Sequence, residues 1–94
     1  MGFRVLDEVY NIILDRLESK PPGSYTWRTA SRGVDHVARK VGEEAVELAV
    51  EAVKGDRDKV AEEAADLLYH LLLLLAVTGV SPGRIEEVLR GRMK

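Results

Sequence analysis

Ninety-four residues, 46% of them hydrophobic and 32% charged, are enough for one folded domain spanning 1–94. A chain this short hides only roughly 60–65% of the surface it exposes unfolded, so its core is thin. No cysteine is present, which excludes a disulfide framework, a zinc knuckle and a thiol nucleophile; the 14 basic and 16 acidic residues leave a formal charge of −2, which argues against a broadly basic nucleic-acid binder.

The opening stretch Met1-Gly2-Phe3-Arg4-Val5-Leu6 has no apolar region of the signal-peptide kind. Val5, Val9, Ile12, Ile13 and Leu17 then fall at helical spacings and predict a helix from about Val5 to Ser19, stopped by Pro21-Pro22-Gly23. The polar and aromatic stretch Ser24 to Arg32 reads as an ordered loop. A second helix is predicted from about Val34 to Lys54, with Val34, Val37, Ala38, Val41, Ala45, Leu48, Ala49 and Ala52 as its apolar stripe and Gly55 just past its end. Asp56 or Asp58 caps a third, which runs to about Thr78 and stops at Gly79. Ser81 and Pro82 open a short fourth helix that reaches about Arg92.

The reading is an all-α, four-helix chain with a central antiparallel hairpin. From Leu67 to Val77 the third helix is apolar nearly all round, and such a helix must be buried all round. Four short helices struggle to do that alone, so the chain is expected to pair into a dimeric helical bundle, a homodimer. The most apolar run, Leu71 to Val77, is far short of the about 20 residues a membrane span needs. The protein is therefore expected to be soluble and cytoplasmic, with no membrane and no nucleic acid among its partners.

Two acidic boxes share one spacing: Glu43-Glu44-x-x-Glu47 on the second helix and Glu62-Glu63-x-x-Asp66 on the third. In each, the last acid shares a helix face with the pair, where like charges repel. The short link at Gly55-Asp56 makes the two helices antiparallel neighbours. Glu47 and Glu63 lie at equal distances from Gly55, so they sit at matching heights, as do Glu44 and Asp66. Carboxylates facing one another in this way call for a hard divalent cation, Mg²⁺ or Mn²⁺, and such an ion is commonly completed by substrate phosphates. A solvated acidic face is the plainer alternative for either box alone; two boxes at hairpin-matched positions favour metal binding. With only two histidines, His36 and His70, any metal must be held mainly by carboxylates.

Ahead of the first box stand Arg28, Arg32, His36, Arg39 and Lys40, the residue types that meet phosphate. Ser24, Tyr25, Thr26 and Trp27 precede them and offer hydroxyls and rings to a base or ribose. Ion pairing with nearby acids is the bland reading of the cations, and a core plug that of Trp27. His70, four residues after Asp66, is expected to be a hydrogen-bonded, half-buried histidine rather than a ligand.

Taken together, Ser24-Tyr25-Thr26, Lys40-Val41-Gly42-Glu43-Glu44-Ala45-Val46-Glu47, Gly55-Asp56 and Glu63-Ala64-Ala65-Asp66-Leu67-Leu68-Tyr69-His70-Leu71-Leu72 resemble the phosphoribosyl-ATP pyrophosphatases, in the stand-alone form of histidine biosynthesis. The glutamate box is shared with a wider group of all-α nucleoside triphosphate pyrophosphohydrolases; the Ser-Tyr-Thr and Tyr-His blocks narrow it. The resemblance implies Mg²⁺-dependent hydrolysis of 1-(5-phosphoribosyl)-ATP to phosphoribosyl-AMP and pyrophosphate by a homodimer. By position, Glu44, Glu47, Glu63 and Asp66 match the family's metal-binding acids. Those four, or Glu43 in the same box, would orient or deprotonate the attacking water. Tyr25, Arg28, Arg32, Arg39 and Lys40 become the substrate contacts, although the family often has Lys where this chain has Arg32, His36 and Arg39. The rival readings are a related house-cleaning pyrophosphohydrolase and a non-catalytic helical dimerisation module, separable by a substrate panel and by metal titration.

Overall fold

The computed structural model describes residues 4–93; the reading of Met1–Phe3 lies outside them. Five helices follow one another: α1 Arg4–Ser19, α2 Tyr25–Ala30, α3 Val34–Lys54, α4 Arg57–Thr78 and α5 Pro82–Arg92, with no strand among the described residues. The all-α expectation holds, with one more helix than predicted. The stretch read as an ordered loop contains α2. Ser24 caps it, extended at φ −78°, ψ 124°, its side chain accepting the Trp27 N–H at 3.2 Å. A capping side chain satisfies one of the donors that a helix start leaves open.

The predicted caps are in place. Gly55 takes the left-handed conformation (φ 81°) in which its N–H reaches back to the carbonyls of Glu51 and Ala52, closing α3. Asp56 accepts the Lys59 N–H at 3.1 Å and opens α4. Gly79 (φ 77°) ends α4, and Ser81 with Pro82 opens α5. The link between α3 and α4 is thus two capping residues long, and it folds them into the hairpin that forms the most extensive helix pair of the molecule. Helix α1 packs across α4, and α2 bridges α1 and α3. Helix α5 turns from α4 by 106°. The Tyr10 hydroxyl donates to the Val80 carbonyl at 3.0 Å and ties α1 to that corner.

Among the described residues the buried apolar side chains are Ile13, Val37, Leu72 and Leu73. Much of the predicted α3 stripe lies open: Val34 is 48% exposed, and Ala38, Ala45, Ala49 and Ala52 face outward. In α4, Leu72 and Leu73 are covered, Leu71 is exposed, and the other leucines are half-buried. One chain does not cover its own central helix. No single helix among the described residues is long and apolar enough to cross a membrane.

Candidate metal centre and substrate cleft

The α3–α4 hairpin brings the two acidic boxes together. One carboxylate oxygen each from Glu44, Glu63 and Asp66 lies within 4.8 Å of the others. Glu44 is buried, Glu63 half-buried and Asp66 exposed, so the group opens outward along one side. The Oε2 atom of Glu63 is sealed from solvent without a hydrogen-bond partner. Partial burial and the nearby carboxylates of Glu47, Asp66 and Glu44 push Glu63 above the ordinary carboxylate range.

A sealed lone pair among like charges lacks a positive partner. Mg²⁺ is a hard cation that takes oxygen ligands, and three acids with their oxygens this close offer such ligands. The donor set, all hard oxygen, therefore fits a divalent cation of that class.

The remaining predicted acids stand differently. Glu47 lies beside Glu63, close enough to raise its affinity for a proton, but on the exposed side and outside the mutual group of three. Glu43 turns away: its Oε1 is 3.9 Å from the Lys40 Nζ, and with Arg39, Gly42, Val46 and Glu47 it lines a shallow surface depression. Glu44, Glu63 and Asp66 form the mutual group, and Glu47, within hydrogen-bonding reach of Glu63, adjoins it from the exposed side.

The cations divide in the same way. Tyr25, Arg28, Thr29, Arg32, His36 and Lys40 line one open cleft of about 300 Å³. The helical form of α2 explains it: Tyr25, Arg28 and Thr29 fall at offsets of three and four, on one face. His36 and Lys40 continue that wall one turn apart on α3. Arg39 belongs to the other depression, with Glu43 and Glu47. Among the described residues no carboxylate lies within ion-pair distance of Arg28, Arg32 or Arg39, so their charge is free for an anion. Partial desolvation, then Arg32, Arg39 and Lys40, hold His36 below the usual histidine value. Trp27, placed under Lys20 with Nζ 5.5 Å from the ring centre, does not line the cleft.

His70 joins the two regions. It is buried, as a hydrogen-bonded histidine was expected to be at least in part. Its Nδ1 lies 2.9 Å from the Asp66 carbonyl and 3.8 Å from Glu44 Oε1, while Nε2 is 2.8 Å from the Tyr25 hydroxyl. The rings of Tyr25 and Tyr69 meet it edge-on, at 5.8 and 5.1 Å, and the Tyr69 hydroxyl bonds Thr26. Thr29 and the His70–Tyr25 bond were not singled out from sequence, and Tyr69 entered there only through the Tyr-His block of the resemblance. The 25/29 spacing would have shown the first, had the segment been read as a helix.

A family model described as phosphoribosyl-ATP pyrophosphohydrolase matches residues 6–93. The chain belongs to the phosphoribosyl-ATP pyrophosphohydrolase family. It is similar, over its full length and theirs, to proteins named phosphoribosyl-ATP pyrophosphatase from three organisms. The identity is 52% over 94 residues for Pyrobaculum arsenaticum, 48% over 94 for Sulfurisphaera tokodaii and 47% over 94 for Saccharolobus solfataricus.

Proposed function

We propose that this chain hydrolyses 1-(5-phosphoribosyl)-ATP to 1-(5-phosphoribosyl)-AMP and pyrophosphate, the second step of histidine biosynthesis, using Mg²⁺ held on the α3–α4 hairpin. The observation that carries the reading is the adjacency of a charge-strained oxygen cluster, Glu44, Glu63 and Asp66, to a cleft lined by Arg28, Arg32 and Lys40, of which the two arginines have no carboxylate partner among the described residues. Full-length relatives bearing the enzyme's name support it. Mn²⁺, another hard cation, is the natural substitute.

Glu44, Glu63 and Asp66 would hold the ion, with Glu47 reaching in from the rim. When bound, the ion neutralises charge on the reacting phosphates and acidifies water. The protein's own part is positional and electrostatic. Arg28, Arg32 and Lys40 draw the triphosphate into the cleft and offset the negative charge that grows on its oxygens. Arg39, with Glu43 and Glu47, approaches from the adjoining depression. One of the ion-holding acids, or Glu43, would take the proton of the attacking water. Water adds across the α–β linkage; one phosphate stays with the nucleotide and two leave as pyrophosphate. The active species is read as a homodimer in the cytoplasm, since one chain leaves its α3 stripe and Leu71 open.

The test is pyrophosphate release from phosphoribosyl-ATP with and without Mg²⁺. Glu44→Gln and Asp66→Asn should each lower kcat/KM by more than about a hundredfold, since even outer partners of a metal ligand cost that much. Full activity in both variants overturns the assignment of the site.

A further inference from the structure

The bond between His70 and Tyr25 has a direction that the surroundings dictate. Both groups facing Nδ1 of His70 are acceptors: the Asp66 carbonyl at 2.9 Å and the Glu44 carboxylate at 3.8 Å. Nδ1 must therefore carry the ring proton, because a backbone carbonyl has nothing to donate. In the neutral ring, Nε2 is then a bare lone pair, and at 2.8 Å it takes the proton of the Tyr25 hydroxyl. The Tyr25 oxygen is left with lone pairs only.

Tyr25 is also part of the cleft wall, 45% exposed beside Arg28, Arg32 and Lys40. A hydroxyl whose proton is committed repels phosphate oxygen and attracts a donor. The substrate has donors only outside its triphosphate, on its nucleoside half: the hydroxyls of the adenosine ribose and of the N1-linked ribose, and the exocyclic nitrogen of the base. Its phosphates have none once ionised. We propose that Tyr25 accepts a hydrogen bond from an O–H or N–H on the nucleoside half of the substrate, and that His70 is the positioning residue that imposes this polarity. The inference rests on the function proposed above and adds to it how the nucleoside is told from the phosphates. The ring of His70 suits this role because it is buried and clamped edge-on by Tyr25 and Tyr69, so it has one orientation. It also makes the nucleoside contact and the metal-side acids share one rigid link.

Product inhibition reads the two halves of the substrate separately, since phosphoribosyl-AMP carries the nucleoside donors and pyrophosphate carries none. In Tyr25→Phe, KM for phosphoribosyl-ATP and the inhibition constant of phosphoribosyl-AMP should rise about five- to tenfold, the size of one hydrogen bond, while the inhibition constant of pyrophosphate stays within about twofold. The smaller part of the loss falls on kcat. Tyr25→Phe keeps the ring, and the Thr26–Tyr69 bond that anchors α2 does not involve it, so the fold survives. His70→Leu should weaken phosphoribosyl-AMP by a similar factor, and adding Tyr25→Phe to it should cost little more. His70→Gln, whose amide offers an N–H toward Asp66 and an oxygen toward Tyr25, should restore most of the loss.

AMP and its 2′-deoxy analogue as inhibitors separate the donor sources. A Tyr25→Phe penalty that vanishes for the deoxy form places the bond on the adenosine ribose, one that persists places it on another donor of the adenosine, and one seen with phosphoribosyl-AMP but not with AMP places it on the N1-linked ribose; all three support the inference. Equal weakening of phosphoribosyl-AMP and pyrophosphate overturns it, as does no change in either, or full additivity of the His70 and Tyr25 substitutions. Wild-type pyrophosphate release reports on the underlying function, so failure of that reading is distinguishable from failure of this one.

Discussion

At the scale of single residues, Glu63 carries the sharpest conflict. Burial and three neighbouring carboxylates raise its affinity for a proton in the folded state. A raised folded pKa means stability that is present at low pH and lost as pH rises through that pKa. Without metal, ionising Glu63 therefore works against the fold. Metal-free Glu63→Gln should melt at a higher temperature than the parent at pH 7, and the gap should close as pH is lowered through the Glu63 range. Mg²⁺ should reverse the order, because only the parent gains from a ligand of the native state. Melting curves in EDTA and in Mg²⁺ at several pH values decide it; a variant no more stable than the parent in EDTA refutes the strain. The sequence spacing showed that Glu44, Glu63 and Asp66 would meet. It did not show that Arg39 lines the adjoining depression rather than the cleft, since residue offsets fix heights along a helix better than angles around it.

At the scale of elements, the register of the acids depends on the two-residue link between α3 and α4. Gly55 holds it at φ 81°, where a Cβ meets no neighbouring atom, so the cost of a side chain there is conformational alone. Gly55→Ala should destabilise the chain by about 1–2 kcal/mol. For a domain of this size that lowers the melting temperature by roughly 4–8 °C per kcal/mol. Activity well below the transition should persist, because the strain does not displace the carboxylates; lost activity with an unchanged melting temperature would contradict this account. Helices α3, α4 and α5 were legible because long apolar periodicity and capping residues agreed. Helix α2 was not, although Ser24 stood at its start. Six residues give less than two turns of pattern, and Tyr, Thr and Trp are weak helix formers. That helix is held by packing on α1 and α3, which a local reading does not see.

At the scale of the molecule, the dimension that stands out is a radius of gyration of 14.3 Å, where a compact chain of this length has about 12–13 Å. The excess goes with incomplete burial. Helices α1, α4 and α5 enclose an apolar groove of about 520 Å³ lined by Leu6, Leu68, Leu71, Leu75, Ile85 and Leu89. On the hairpin's outer side Val46, Val50 and Val53 are 64%, 47% and 90% exposed. The all-round apolar α4 made this legible in outline from sequence, but not which face stays open, because that depends on how α1 and α5 cross it. If a second chain covers these surfaces, as proposed, the melting temperature should rise with protein concentration, and sedimentation equilibrium should give twice the 10.4 kDa chain mass. Leu71→Lys sets a charge on the open side of α4, 38% exposed in the single chain, where the chain itself tolerates it and a shared core does not. The variant should sediment as one chain and melt at a temperature independent of concentration. A parent of one-chain mass at every concentration, or a Leu71→Lys variant that still pairs like the parent, would show that this side of α4 faces water in the working enzyme.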